Sequence, residues 1–320
     1  MNILVTGANG FVGKALCNFL RCDSLNVVGA VRGQAKAGEI TIGNIGPETD
    51  WSHALRGCDV VIHLAARVHQ LLDVASNPLI EYRRVNVLAT EKLARAAADA
   101  GVKRLIFLSS VKVNGEKSPG RAFLENDLPN PQDAYAISKW EAENSLRLIS
   151  DETGIEVVIL RPTLVYGPGV GANFLQLMQV VDNGSLLPLG AIRNRRSLLY
   201  LGNLVDAIAL CIKHPDAAGK TFLVSDGEDV STPELILRLA IALGRPARLL
   251  RVPVSWIQLA GLLLGKRTAV ERLTNSLYVN SRSICFELAW VPPYTMQDGL
   301  ETTAEWYFST KSGNTPSHLR

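Results

Sequence analysis

Short apolar runs alternate with stretches of helical periodicity through the first half of the chain. The runs contain few polar positions, which is typical of strands buried on both faces of a parallel sheet. They predict strands at residues 3–6, 26–31, 59–64, 104–109 and 155–160. The segments between them predict helices at residues 11–21, 78–100 and 134–152. Strands and helices that alternate in this way indicate an α/β fold built on a doubly wound parallel sheet.

The pattern changes after Pro168, where helical segments dominate and glycine and proline become frequent at the junctions. Short strands are predicted there at residues 197–200 and 221–224. The longest apolar stretch, around residues 256–264, is too short to span a bilayer. We expect it to form a buried helix, because short apolar runs are usually buried. A helix that lies on a membrane or on a partner is the alternative.

Composition and charge narrow the class of protein. The 320 residues are 47% hydrophobic and 20% charged, as expected for a soluble globular protein. The net charge of +3 is spread along the chain without a basic block, so we expect no nucleic-acid partner. The five cysteines and five histidines lack disulfide or metal-ligand spacing, which predicts neither disulfides nor a metal site. We recognise no signal peptide or transmembrane segment and expect a cytoplasmic protein.

The first predicted strand runs directly into a glycine-rich loop with the spacing G-x-x-G-x-x-G. The first glycine of such a loop makes a tight turn, the second lets a pyrophosphate approach the backbone, and the third lets the helix pack against the strand. The free N–H groups of the helix N-terminus then hold the anion. An ordinary turn is the alternative, but the position between a buried strand and an apolar helix favours a dinucleotide site. The loop residues expected to contact that cofactor are Gly7, Asn9, Gly10, Phe11, Val12 and Gly13.

The loop and the strand pattern together predict a Rossmann sheet with a smaller, mostly helical C-terminal substrate domain. We place the NAD(P)-binding Rossmann domain at residues 1–168 and the substrate domain at residues 169–310. One late segment of the second domain is a candidate to return to the sheet. Residues 311–320 are polar and are expected to form a flexible tail.

The second predicted strand ends at Arg32 without the acidic residue that NAD-selective sites use to hold the ribose hydroxyls. The guanidinium of Arg32 instead suits a 2′-phosphate. This predicts NADP(H) as the preferred cofactor, with NAD(H) as the alternative. Alternatively, Arg32 only stacks on the adenine or faces water.

Tyr135 and Lys139 carry the catalytic prediction, because residues at i and i+4 lie on one face of a helix. A free phenol has a pKa of about 10, and a nearby ammonium lowers it. We therefore expect Lys139 to lower the pKa of Tyr135, which then exchanges a proton with a carbonyl or carbinol oxygen. Ser110, at the end of the preceding strand, is expected to hydrogen-bond the same oxygen, since strand ends face the ligand crevice in doubly wound sheets.

These motifs resemble the extended short-chain dehydrogenase/reductase family, whose members act with NAD(P) on nucleotide-linked sugars. The resemblance covers nearly the whole chain. It rests on the glycine loop, Val61-Ile62-His63-Leu64-Ala65-Ala66, Val85-Asn86-Val87, Ser109-Ser110, the segment from Tyr135 to Lys139, and Arg161-Pro162-Thr163-Leu164-Val165-Tyr166-Gly167-Pro168-Gly169. It implies an NAD(P)-dependent oxidoreductase.

The resemblance implies cofactor contacts at several further positions. Asn44 and Ile45 would flank the adenine, and Leu64, Ala65 and Ala66 would lie against the cofactor phosphates or ribose. The remaining implied contacts are Asn86 on the cofactor side of the active site, Lys139 at the nicotinamide ribose, and Pro162 and Thr163 at the nicotinamide.

Two departures from the family pattern leave the exact substrate open. The adenine-contacting position, usually an aspartate in the family, is Asn44. Ser110 is followed by Val-Lys-Val-Asn-Gly, where many members have Val-Tyr-Gly. Neither departure removes a catalytic group.

The resemblance also implies residues for a nucleotide sugar. Asn173 matches an asparagine that holds the diphosphate, and Arg196 matches a diphosphate-binding arginine, a role that suits the guanidinium fork. Leu187 and Pro188 resemble the segment that packs against the nucleotide base. A solvated basic loop is the alternative for Arg196.

Ser110 and Lys112 complete the predicted substrate residues, while Arg272 and Arg282 are weaker candidates because arginines near helix ends are often surface charges. The favoured function is an NADPH-dependent reductase of a nucleotide-linked 4-keto sugar, closest to bacterial reductases of UDP-4-keto-6-deoxy-N-acetylhexosamines in polysaccharide synthesis. One alternative is a UDP-hexose 4-epimerase with tightly bound NAD, and another is a non-catalytic NADP(H)- or nucleotide-sugar-binding protein. The resemblance further implies a homodimer formed through the helices predicted at residues 78–100 and 134–152. Amphipathic helices that only cover the sheet are the alternative.

Overall fold

A computed structural model of the chain describes residues 1–23, 25–68 and 77–312. The strands are β1 (Asn2–Thr6), β2 (Asn26–Val31), β3 (Glu39–Thr41), β4 (Val60–His63), β5 (Arg104–Leu108), β6 (Glu156–Pro162), β7 (Leu164–Tyr166), β8 (Arg196–Tyr200), β9 (Thr221–Val224) and β10 (Asp229–Val230). The α-helices are α1 (Phe11–Cys22), α2 (Pro78–Arg83), α3 (Ala89–Asp99), α4 (Ala134–Thr153), α5 (Ala172–Asp182), α6 (Leu201–Lys213), α7 (Thr232–Ala242), α8 (Val254–Leu263), α9 (Arg267–Thr274), α10 (Arg282–Glu287) and α11 (Met296–Lys311). Residues 313–320 of the expected flexible tail lie outside the described part of the chain.

Seven parallel strands form the main sheet, in the order β3-β2-β1-β4-β5-β6-β9. This arrangement confirms the predicted α/β fold with a doubly wound parallel sheet. Strand β1 lies between β2 and β4, so the strand order reverses direction there. Ligands of open α/β sheets bind outside the carboxyl ends of the strands at such a point. The glycine loop follows β1 directly and therefore lies at this position.

Strand β3 was not predicted from the sequence pattern. It has three residues, pairs with β2 at the edge of the sheet, and contains no buried position. A segment this short and this exposed carries no apolar run that a sequence pattern could detect.

A smaller three-stranded sheet, β10-β8-β7, lies in the second half of the chain. Its core includes Tyr166, Met178, Ile236 and Leu300, supplied by the strands and by helices α5, α7 and α11. Helix α6 and strand β9 follow residue 168 in the chain but pack with the main sheet: β9 pairs with β6, and the apolar residues of α6 join the core beside α1.

The helix predicted at residues 78–100 contains a change in its hydrogen-bonding pattern. A π-helical turn at Arg84–Leu88 separates α2 from α3, and Asn86 lies in its centre. Such turns are uncommon and occur frequently at functional sites. The turn therefore marks Asn86 as a candidate functional residue.

The expectation that the apolar stretch at residues 256–264 is buried is wrong. Of the ten residues of α8, Gly261 alone is buried. Trp256 is 70% exposed and Leu263 is 77% exposed. The helix packs against α9, and its Val254 and Ile257 side chains contact the core of the smaller sheet, but its other apolar side chains are mostly exposed. Within the described residues, no helix has both the length and the apolar character needed to cross a membrane.

Candidate active site

The glycine loop closes tightly on itself and on the start of α1. Gly7 has a φ of +69°, and Gly10 N donates to Gly7 O at 2.9 Å. A Cβ at Gly13 would lie 2.1 Å from Gly7 O, so a side chain cannot be accommodated there. The N-cap residue Gly10 has no side chain to occupy the first N–H groups of the helix. This arrangement fits a dinucleotide pyrophosphate.

Other predicted cofactor residues lie at the same edge of the sheet. Leu64 to Ala66 follow β4, and a Cβ on Gly7 would lie 2.9 Å from Ala65 N, so these two segments are in close contact. Arg32 is exposed immediately after β2, and Asn44 and Ile45 line a surface depression beyond β3. Pro162 ends β6, and the adjacent Thr163 N donates to Val224 O at 3.1 Å.

Ser110 lies near the Tyr135 phenol, close enough for its hydroxyl to lower the pKa of that phenol. Ser110 follows β5, whereas Tyr135 lies in the first turn of α4. The Asp133 side chain caps that helix by accepting from Ala136 N at 2.7 Å. The cap fixes where α4 begins and thereby positions Tyr135 against the end of β5.

The pKa of Tyr135 differs from the expected direction. Burial raises it well above its ordinary value, the Asp133 carboxylate raises it further, and the nearby Ser110 hydroxyl opposes the shift. The expectation that Lys139 lowers this pKa is therefore wrong within the chain itself, because removal of the phenol from water has the larger effect. Within the chain itself, without cofactor, Tyr135 therefore keeps its proton at neutral pH.

Lys139 is buried under Tyr135 and faces the sheet. Its Nζ donates to Leu108 O at 2.8 Å and lies 4.4 Å from the centroid of the Phe107 ring. Burial lowers the pKa of Lys139 to about 7, although the Glu143 carboxylate acts in the opposite direction. The amine therefore changes its charge close to neutral pH.

A buried carboxylate that the sequence interpretation did not assign lies one turn beyond Lys139. Glu143 accepts from Arg161 Nε at 2.9 Å and from Arg161 Nη2 at 2.6 Å, and it also accepts from Ser109 Oγ at 2.6 Å. The Glu143 side chain is fully buried and that of Arg161 nearly so. The i, i+4, i+8 spacing of Tyr135, Lys139 and Glu143 was the available signal.

A buried chain of hydrogen bonds connects the end of β1 with α3. Thr90 Oγ1 donates to Asn86 O at 2.8 Å, so it accepts from His63 Nε2 at 2.9 Å. The Nδ1 atom of His63 then accepts from Thr6 Oγ1 at 2.7 Å. Burial lowers the pKa of His63 to about 3, with Lys139 adding to the effect, so the ring is neutral. His63 is buried, as expected of a core residue.

Asn86 continues this chain to the catalytic helix. Its Nδ2 donates to Ser138 Oγ at 2.9 Å, and Ser138 Oγ donates to Tyr135 O at 2.7 Å. Asn86 Oδ1 accepts from Arg67 N at 2.8 Å. The phosphate loop and the helix that carries Tyr135 are thus connected through side chains, which no sequence spacing indicated.

Lys112, a predicted substrate residue, forms ion pairs within the chain. Its Nζ lies 2.7 Å from both Glu116 Oε1 and Asp133 Oδ2. Burial alone would lower the pKa of Lys112, but these two carboxylates raise it. Lys112 therefore holds the N-cap of α4 in place.

The structure brings Arg196 close to Arg272. Arg196 Nη1 donates to Arg272 O at 2.8 Å. Burial lowers the pKa of Arg196, the Glu116 carboxylate opposes this shift, and the positive charge of Arg272 adds to it. Asn173 lies exposed near the start of α5, next to Ala172 with its φ of +49°. A positive φ at a residue with a Cβ is uncommon and is often found at ligand sites.

The segment predicted to contact the nucleotide base is held by two backbone hydrogen bonds. Leu187 N donates to Arg248 O at 2.8 Å, and Leu250 N donates to Leu187 O at 2.8 Å. Pro188, the next residue, is exposed. The chain just before α8 therefore adjoins the predicted substrate residues.

Comparison with known proteins places this site in a family. Residues 3–225 match the model of the NAD dependent epimerase/dehydratase family. A UDP-glucose 4-epimerase of Vibrio cholerae is 45% identical over 317 residues, covering 97% of each chain. An N-acetyl-alpha-D-glucosaminyl-diphospho-ditrans,octacis-undecaprenol 4-epimerase of Escherichia coli O157:H7 is 30% identical, covering 96% of this chain and 95% of that one.

The fold agrees with a solved structure, MoeE5 in complex with UDP-glucose and NAD, at a TM-score of 0.77 and 26% identity. The match covers 97% of this chain and 100% of that chain. The protein therefore belongs to the NAD dependent epimerase/dehydratase family, the extended branch of the short-chain dehydrogenases/reductases.

Proposed function

We propose that the protein is a UDP-hexose 4-epimerase that retains NAD through its catalytic cycle. The position of the Ser110 hydroxyl near the Tyr135 phenol carries this proposal, because both hydroxyls can hydrogen-bond one sugar oxygen. The 45% identity with the UDP-glucose 4-epimerase of Vibrio cholerae supports an epimerase over the reductase favoured by the sequence pattern. The intact catalytic residues argue against a protein that only binds its ligands.

The cofactor would be held by the glycine loop, by the segment from Leu64 to Ala66, and by Lys139. Bound NAD would supply a reversible hydride acceptor, and its positive charge together with that of Lys139 would lower the pKa of the Tyr135 phenol. The resulting phenolate would take the proton of the sugar 4-hydroxyl in the first half-reaction, and the phenol would return that proton to the 4-keto oxygen in the second. The sugar is not oxidised overall, because the proton and the hydride both return to it. Ser110 orients the sugar oxygen in both directions.

Arg196 and Arg272 support a diphosphate as the part of the substrate that is recognised. Two guanidinium groups held near each other repel, and a diphosphate between them would remove that repulsion. Arg196→Gln is expected to weaken UDP binding about tenfold or more, measured by calorimetry. Arg193→Gln, which changes an exposed arginine of the same loop, is the matched control and should leave UDP binding unchanged.

A reductase of a UDP-4-keto sugar is the second candidate, and Arg32 favours it. This exposed arginine, in place of an acidic residue after β2, suits the 2′-phosphate of NADPH. The two functions differ in how the cofactor is used. A reductase consumes one NADPH for each sugar, whereas an epimerase needs none added.

The deciding experiment incubates the purified protein with UDP-glucose or UDP-N-acetylglucosamine without added cofactor and follows the sugars by NMR. Conversion to the 4-epimer, together with NAD released on denaturation, supports the epimerase. NADPH oxidation that requires a UDP-4-keto-6-deoxy-N-acetylhexosamine, with no epimerisation, would establish the reductase instead. The absence of turnover with every sugar would contradict both functions.

Tyr135→Phe is expected to lower the rate of epimerisation, or of sugar reduction by NADPH, by roughly 10²–10⁴-fold. Cofactor binding should stay intact. Tyr307→Phe is the matched control, since it removes another buried phenol, one that hydrogen-bonds Asp182 at 3.1 Å outside the site. Wild-type turnover of Tyr135→Phe would contradict the proposed proton transfer.

We also infer a homodimer formed through α2, α3 and α4. Exposed apolar side chains at Ile80, Leu88 and Leu148 support this interface. Sedimentation velocity of wild type and Leu148→Glu would test it, with dissociation of the variant expected.

A further inference from the structure

Helix α8 presents an unusually apolar surface to solvent. Among its ten residues, Ser255 and Gln258 are the polar ones. Trp256, Leu259, Leu262 and Leu263 are all more than half exposed, and so is Leu264 directly after the helix. Contiguous exposed apolar residues of this kind mark an interaction surface rather than the scattered leucines of an ordinary protein surface.

The helix is fixed in this position by packing on its other side. Val254 and Ile257 lie against the core of the smaller sheet. Gly261 contacts α9 so closely that a Cβ there would lie 2.5 Å from Val270 Cγ2. Lys266 N donates to Gly261 O at 2.7 Å and closes the turn between the two helices. The exposed face is therefore part of an ordered helical hairpin.

Basic residues flank α8 on both sides in the sequence. Residues 245–272 contain six of them, Arg245, Arg248, Arg251, Lys266, Arg267 and Arg272, and Glu271 as the single acidic residue. The excess of positive charge in this segment is larger than the net charge of +3 of the entire chain. Arg245 pairs with Asp182 and Arg267 with Glu271, and the segment as a whole remains strongly cationic.

We propose that α8 is a docking surface for an anionic phospholipid membrane. Trp256 and the leucines would enter the interface between headgroups and acyl chains, and the basic residues at either end would contact lipid phosphates. The charge disfavours a second copy of this chain as the occupant, because two such faces would bring like charges together. The inference does not depend on the proposed epimerase activity.

Docking would bring a predicted part of the substrate site to the membrane surface. Arg272 belongs to α9, and its carbonyl oxygen accepts from Arg196. Leu250, which pairs with Leu187, lies four residues before the start of α8 at Val254. Arg272 would thus lie on the helix packed against α8, close to the headgroup layer, and, if the proposed diphosphate site is correct, this position would favour capture of diphosphates from that layer.

The test is binding of the full chain to phosphatidylcholine vesicles with and without phosphatidylglycerol, followed by co-sedimentation and by Trp256 fluorescence. We expect binding about tenfold tighter or more with phosphatidylglycerol, together with a blue shift of the emission. Leu263→Glu should weaken binding at least about tenfold, since it places a charge on the apolar face. Trp256→Phe should still bind but lose the blue shift.

Leu128→Glu is the matched control, because Leu128 is 91% exposed and lies outside α8. It should bind vesicles like wild type, and unchanged thermal melts would show that both glutamate variants fold. The proposal is overturned if wild type does not bind vesicles, if it binds neutral and anionic vesicles equally, or if Leu128→Glu loses as much binding as Leu263→Glu. Dissociation of a dimer by Leu263→Glu, without vesicle binding by wild type, would assign the surface to a second copy instead.

Discussion

Helix α4 buries charged side chains, whereas helix α8 leaves most of its apolar side chains exposed. In α4, Lys139 is 2% exposed and Glu143 is 0% exposed. Burial of charge is costly unless partners are present, and Arg161 and Ser109 supply them within the same chain. The apolar surface of α8 has no comparable cover among the described residues. The buried charges of α4 thus find their partners within one chain, while the exposed apolar face of α8 implies a partner outside it.

Among the substitutions that test this comparison, Glu143→Gln is expected to lower the free energy of unfolding the most. The change leaves Arg161 buried beside a neutral amide, and breaking a buried pair in this way costs about 3–5 kcal/mol. It also removes the carboxylate that raises the pKa of Lys139, so that pKa should fall further below about 7. Urea unfolding measures the first effect, and NMR titration of the labelled lysine measures the second.

Glu141→Gln is the matched control on the same helix. Glu141 pairs with Arg83 at the surface, where solvent screens the charges, so little change in stability is expected. Equal destabilisation by the two glutamine variants would show that the buried cluster has no special role in α4.

An intermediate effect is expected from Lys139→Met, which should abolish turnover but stabilise the fold. The unfolded chain binds more protons than the folded one between the folded pKa of about 7 and the ordinary lysine pKa of about 10.4. The free energy of unfolding of wild type should therefore rise with pH through this window. The variant should lack that rise and be more stable near pH 7 by an amount on the order of 1–3 kcal/mol.

Thermal melts of Lys139→Met and wild type across the alkaline range test this prediction. Lys213→Met, at the end of α6, is the control because Lys213 is exposed. The prediction would be contradicted if the thermal stability of wild type and of Lys139→Met depended on pH in the same way.

The smallest effect is expected from Leu263→Ala on α8. A side chain that is 77% exposed contributes little to the folded core, so the free energy of unfolding should change by no more than about 0.5 kcal/mol. Leu146→Ala on α4, where the side chain is fully buried, should instead cost about 2–5 kcal/mol. A large loss of stability in Leu263→Ala would mean that α8 is covered within the chain and would remove the contrast between the two helices.

The parts of the fold that could be predicted are those with a local cause. Strands β1, β2 and β5 consist of apolar runs buried on both faces, and the glycine loop has a spacing with a steric reason at Gly13. Tyr135 and Lys139 likewise lie on one face of α4 once the segment is helical, because their spacing is i, i+4. These features would be found in any chain with the same local pattern.

The features that could not be predicted depend on long-range contacts. Glu143 meets Arg161 across the boundary of a helix and a strand, and the π-helical turn is accompanied by contacts of Asn86 with Arg67 and Ser138. The direction of the Tyr135 pKa shift depends on how deeply α4 is buried, which no spacing reveals. The exposure of α8 was missed because an apolar run has the same sequence pattern whether a core or a membrane covers it.

The pairing of β9 with β6 has a consequence for synthesis on the ribosome. Strand β6 ends at Pro162, but its partner β9 does not emerge until Val224 has been added. During that interval the nascent chain carries an apolar strand with one open edge, the kind of surface that pairs with other chains. A chain that stops after residue 168 would keep this edge permanently, so the sheet is an intact unit only when translation has passed residue 224.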